Sequence, residues 1–123
     1  MSKDNDTLEI DLVLKSRPVH FKAKDATIHG ELRELDGTGR DEWMNFVASK
    51  AKFGPDGKPT GAKDFKGVYS FLLVRSLFKD DGTPFTEKEI NAWPSSAQEK
   101  LFKASQKLSG VDGEDAETEA KND

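Results

Sequence analysis

Between Phe65 and Phe78 the chain carries an apolar run that no single helical stripe can hold. Val68, Tyr69, Phe71, Leu72, Leu73, Val74, Leu77 and Phe78 fall within eleven consecutive positions. On a helix these side chains point almost all the way round, with Lys66, Ser70, Arg75 and Ser76 scattered between them. A helix that is apolar on every side has to be covered on every side. The run is far too short to span a membrane, which takes ~20 apolar residues. It predicts a central helix over 64–78, wrapped by the rest of a small domain or partly by another chain.

A chain of 123 residues is one domain by length and can bury roughly two-thirds of its unfolded surface. Hydrophobic and charged residues each make up 34% of it, so the apolar residues must be concentrated in one modest core. The absence of cysteine excludes disulfides and thiolate metal sites, and fits a reducing cytoplasm. Residues 1–7 are polar and acidic, with no apolar signal-peptide region, and predict a flexible start. Residues 111–123 hold six acids and one base, a local charge of −5 against −4 for the whole chain. So little apolar surface cannot offset the entropy of ordering, which predicts a disordered acidic tail after a single domain at 8–110.

Leu8, Ile10, Leu12 and Leu14 alternate with Glu9, Asp11 and Lys15, Val13 alone being out of phase. Period two predicts a strand with one buried face. After Ser16-Arg17-Pro18, residues 19–23 and 26–32 read as a hairpin about Lys24-Asp25. A pairing that places Phe21 opposite Ile28 also places His20 opposite His29 and Lys22 opposite Thr27 on the other face. Helical spacing begins near Leu35. Thr38 is the expected N-cap, and Trp43, Phe46, Val47 and Ala51 form a stripe over a helix at 39–52. Gly54 to Gly61 is loop by composition, flanked by Lys50, Lys52, Lys58, Lys63 and Lys66. In the segment from Phe85 to Ile90, Thr86 and Glu89 make a capping box and Phe85 and Ile90 a hydrophobic staple. That helix, 87–93, stops before Pro94. Ser95 and Gln98 suggest a second box. Ala97, Leu101, Ala104 and Leu108 give the inward face of a last helix at 96–109, closed by Gly110. The fold class expected is α+β: a small N-terminal antiparallel sheet of two or three strands within 8–33, then about four helices.

Little here carries chemistry. Two histidines across a hairpin fall short of the four ligands of a structural zinc site. Gly54 to Thr60 lacks the spacing of a phosphate loop, and Gly82 occupies a position where a calcium loop needs a ligand. No serine sits in a nucleophile elbow. The lysine-rich loop lacks an aromatic platform beyond Phe53, and the net charge is negative, which argues against nucleic acid. Trp43 reads as core, whereas Trp93 beside Pro94 reads as partly exposed and suited to an interface. No catalytic, cofactor or metal residues are expected.

Residues 17–110 resemble a tail assembly chaperone of long-tailed bacteriophages. Phe21 with Ile28 and Leu32-Arg33-Glu34-Leu35 resemble its small hairpin running into the first helix, and Asp41-Glu42-Trp43 that helix's start. Leu72 to Phe78, Asp80-Asp81-Gly82-Thr83-Pro84-Phe85-Thr86 and Glu89-Ile90 resemble an apolar helix giving way to a loop and a capped helix. Leu101, Ala104 and Leu108-Ser109-Gly110 resemble the final helix. The resemblance implies a non-enzymatic protein of the infected host bacterial cytoplasm, acting without a cofactor, nucleic acid or membrane. It would coat the tape measure protein, help bring tail tube subunits to it, and be absent from the finished tail. A structural tail or head–tail connector protein of the virion is the alternative. The expected partner surface is an apolar groove lined by Val68, Tyr69, Leu72, Phe85, Ile90 and Trp93, taking an amphipathic helix or serving a homo-oligomer around the client. The family also implies a longer product made by a backward ribosomal slip, recruiting the tube protein through an extra domain. Ala120-Lys121-Asn122 can be encoded as GCA-AAA-AAC, which contains the slippery run A-AAA-AAC.

Overall fold

The computed structural model describes residues 7–111. The acidic stretch after Val111, its expected disorder and the codons at 120–122 lie outside the described residues, as does most of the N-terminal stretch 1–7. The fold is α+β. Strands β1 (Ser16–Lys22) and β2 (Thr27–Arg33) form the expected hairpin, in the expected register: His20 faces His29, Phe21 faces Ile28 and Lys22 faces Thr27. Ala23 N donates to Ala26 O at 2.9 Å across the turn.

The sheet has three strands in the order β1-β2-β5, but its third member is not the segment 8–15. It is β5 (Leu77–Lys79), antiparallel to β2, with Leu77 opposite Leu32. Leu8 to Leu14 belong to no strand and are exposed. Alternation gives a segment two faces but does not give it a partner edge. One edge of β2 is taken by β5. The outer edge of β1 carries Pro18, which has no N–H to donate.

Helix α1 (Gly37–Lys50) is capped by Asp36 rather than Thr38, the Asp36 carboxylate accepting from Gly39 N at 2.8 Å. It stops two residues short of the expected end, because Ala51 is extended and opens a small hairpin. In that hairpin, β3 (Ala51–Phe53) takes the two residues expected to end the helix, and β4 (Pro59–Ala62) lies largely on ground expected to be loop. Its turn is where composition put it: Gly57 N donates to Gly54 O at 3.0 Å, and Gly57 has φ 79°.

The central helix α2 spans Val68–Ser76, and each of its nine residues is buried or half-buried. The requirement for cover on every side is thus met. It ends earlier than the apolar run does. Ser76 Oγ lies 3.0 Å from Leu72 O and 2.7 Å from Ser105 Oγ, and the next residue, Leu77, is extended in β5. Pairing with β2 overrides the helical preference of Leu77 and Phe78, since propensity is weak against tertiary contacts.

Helix α3 (Glu87–Asn91) has the full capping box: Thr86 Oγ1 accepts from Glu89 N at 3.2 Å, and Glu89 Oε1 accepts from Thr86 N at 3.0 Å. It is two residues shorter than expected. Helix α4 (Ser95–Ser109) closes with Gly110 at φ 67°. No capping box forms at its start. Pro94 is the N-cap, and Gln98 Nε2 instead donates to Trp93 O at 2.9 Å.

Two apolar clusters result. Leu32, Leu73, Leu77, Phe85, Ile90 and Leu101 fill the space between the sheet, α3 and α4. Leu35, Trp43, Leu72 and Phe102 join α1 and α4 across α2. Leu35 N donates to Ser109 Oγ at 2.9 Å, tying the end of α4 to the entry of α1.

Candidate functional site

The six residues expected to line a groove are divided between the two clusters. Leu72 and Ile90 have no exposed surface and Phe85 is 6% exposed, so these three are core. Val68 and Tyr69 are half-buried against the Trp43 cluster, with the Tyr69 and Phe102 rings 4.6 Å apart. Trp93 is half-buried in the other cluster, its ring 5.1 Å from Phe21 and 5.2 Å from Phe85. Trp93 is more exposed than Trp43, as expected, but it is packed rather than presented. The six do not line a single groove, because α3 and α4 pack on α2 and draw Leu72, Phe85 and Ile90 into the core.

Apolar surface remains elsewhere. On α1, Phe46, Trp43, Val47 and Met44 follow one another round the helix in an arc of about 160°, taking 3.6 residues per turn. Trp43 is 4% exposed, whereas Val47 is 43% and Met44 51% exposed. The apolar arc therefore runs past the edge of the core. Behind it, Phe46 stacks on Phe71 at 4.1 Å, and the Arg75 guanidinium sits 3.6 Å over that Phe71 ring. Arg75 also donates to Phe71 O at 3.0 Å and meets Glu42 at 3.3 Å. Sequence spacing placed Val47 on the inward stripe and left Met44 out. The width of the arc, more than one contact line can bury, is the signal that could have found both.

The β3–β4 hairpin carries a second apolar and basic surface, with Phe53 60% exposed and Phe65, beyond it, 80%. Lys50 pairs with Asp64 at 2.5 Å, and this bond above all holds the Asp64 carboxyl below its ordinary value. Lys52, Lys58 and Lys63 form no ion pair among the described residues. A third apolar surface is the segment Leu8–Leu14, where Leu12 is 89% exposed and Leu8 82%.

His20 and His29 meet edge to face with ring centroids 4.6 Å apart, on the open face of the sheet. Among the described residues no group of three or more His, Cys, Asp or Glu side chains is placed to hold a metal ion. No helix among them is long and apolar enough to cross a membrane. Neither a scan of family models nor comparison with curated proteins and with solved structures finds a match to this chain.

Proposed function

We propose that this protein is a tail assembly chaperone of a long-tailed bacteriophage, binding the tape measure protein and helping to recruit tail tube subunits in the host cytoplasm. The observation that carries the reading is the outer half of the α1 arc. Met44 and Val47 extend the apolar surface of a filled core onto an accessible helix face. An amphipathic client helix is matched by such a face through anchors one turn apart. Val68 and Tyr69 keep part of their surface open and border the cluster that α1 joins, and Trp93 does the same at the other cluster. The resemblance of residues 17–110 supplies the identity of the client. The longer frameshifted form belongs to the same reading, and the gene sequence tests it: an Ala120 codon ending in anything but A removes the slippery run.

Co-expression with the tape measure protein tests the binding. The chain is expected to co-purify with it, and Met44→Asp with Val47→Asp to lose that retention without loss of helical signal. Mass spectrometry of purified virions is expected to find none of the chain. Presence there in multiple copies would favour a tail or connector component instead.

A further inference from the structure

The segment Leu8–Leu14 combines three properties. It is apolar at alternate positions, acidic between them at Glu9 and Asp11, and exposed along its length up to the point where Lys15 bonds to Glu34. Lys15 N donates to Glu34 Oε1 at 2.9 Å and Lys15 O accepts from Glu34 N at 2.8 Å, which fixes the point of exit. Upstream of that point Leu8, Ile10, Leu12, Val13 and Leu14 are all exposed, from 45% at Leu14 to 89% at Leu12. Five neighbouring large aliphatic side chains in water form a surface that ordinarily has an occupant.

The β3–β4 hairpin is the complementary surface. It is a two-stranded sheet whose outer edges carry no further strand. It offers exposed Phe53, with Phe65 beyond it, and the lysines 52, 58 and 63 free of ion pairs among the described residues. An added strand of Leu8–Leu14 would set its leucines on the aromatic side chains and its carboxylates among the lysines. Extended segments bind sheet edges in this way, the backbone supplying affinity and alternate side chains specificity. Neither β1 nor the acidic C-terminal stretch competes well. The outer edge of β1 is interrupted in mid-strand by Pro18, whereas in the hairpin the one strand proline, Pro59, stands at the start of β4 and β3 has none; residues 112–123 carry charge without large apolar residues.

We propose that Leu8–Leu14 of one chain pairs with the β3–β4 hairpin of a second copy. The second copy follows from reach. The arm leaves beside Glu34, at the N-terminal end of α1, and the hairpin begins at the other end of that 14-residue helix. At 1.5 Å per residue α1 is about 21 Å long. Seven extended residues reach about 25 Å at most. Within one chain the arm would be spent in travelling to the hairpin, with nothing left to lie along it. An exchange between two chains closes as a symmetric pair, and a one-way transfer builds a ring or a filament. The proposal stands without the chaperone reading, since it uses neither the client nor the α1 arc.

Sedimentation of the full chain over a range of concentrations and salt tests it. The wild-type chain is expected to rise from monomer mass to an oligomer with concentration, and to associate less as salt screens the exposed charges. An arm variant, Ile10→Asp with Leu12→Asp, and a hairpin variant, Lys52→Glu, Phe53→Ser and Lys63→Glu, should each weaken association by about tenfold or more, as loss of interface anchors does. Both change exposed side chains, so circular dichroism should match the wild type. Mixing the two variants should restore a mixed pair, which retains one intact arm and one intact hairpin. With Leu12→Cys on one copy and Phe53→Cys on another, oxidation should link the two chains. A wild-type chain that stays monomeric throughout would overturn the proposal. So would variants that associate as the wild type does, or a disulfide that closes within one dilute chain bearing both cysteines.

Discussion

Ser76 and Ser105 meet Oγ to Oγ at 2.7 Å in the core, and neither has any exposed surface. With the Ser76 proton directed at Leu72 O, Ser105 is the donor to Ser76. Replacing Ser76 alone with alanine strands the Ser105 hydroxyl, and an unsatisfied buried polar group costs about 1–3 kcal/mol. Urea unfolding is expected to show that loss for Ser76→Ala, and a double variant with Ser105→Ala that loses less than the two single losses combined. Gly30 is constrained by space. A methyl group there would stand 2.9 Å from Phe78 O and 3.1 Å from the Phe21 ring, so the backbone of β5 would have to move. Gly30→Ala should lower stability by about 1–3 kcal/mol, as overpacking does. Thr86→Ala should cost about 1 kcal/mol through the lost cap. The other half of that box depends on pH. The Thr86 backbone N–H, then Lys79, hold the Glu89 carboxyl below its ordinary value of 4.5. Its contribution is therefore present above about that pH and lost as pH falls through the lowered folded value. The stability gap between wild type and Glu89→Gln should close on acidification; a gap unchanged down to strong acid would show that Glu89 carries no pH-dependent share.

At the scale of elements, what was legible in the sequence was what is decided locally. The β1–β2 register follows from alternation over a two-residue loop, and the α3 cap from four neighbouring residues. The third strand was not legible, because Leu77 and Phe78 continue an apolar helical run and only the presence of β2 beside them makes them extended. The β3–β4 hairpin was half legible: its glycines and prolines marked a turn, but strands of three and four residues leave no periodicity to read. Three of the six expected binding residues lie in the core for a related reason. Leu72, Phe85 and Ile90 are apolar in sequence, and whether such residues face a partner or the core is settled by the elements that return over them. The same distinction should appear in motion. Amides of α2, which contributes to both clusters, should be among the slowest to exchange with deuterium, and those of β3 and β4 among the fastest. Equal protection across the two would contradict this picture.

For the whole molecule, the large apolar side chains among the described residues are as numerous outside as inside, ten exposed and ten buried. Half of the exposed ones lie in the arm, which packs little against the domain. Removal of residues 1–13 should therefore leave the unfolding midpoint unchanged in dilute solution. At higher concentration the wild type should gain on the truncated chain, because self-association stabilises by mass action. A midpoint lowered equally at all concentrations would show instead that the arm supports its own domain. The buried positions of the central helix, Ser70, Leu72, Leu73 and Ser76, are out of reach of any partner, and this has a consequence for genetics. Substitutions at these positions should act through abundance, since 1–2 kcal/mol of lost stability can change a protein's level several-fold in cells. A screen for defective assembly would recover those positions readily and learn from them only that the chain must fold. Variants that separate interaction from abundance should come from the periphery, at the outer face of α1, the arm and the lysine-bearing hairpin.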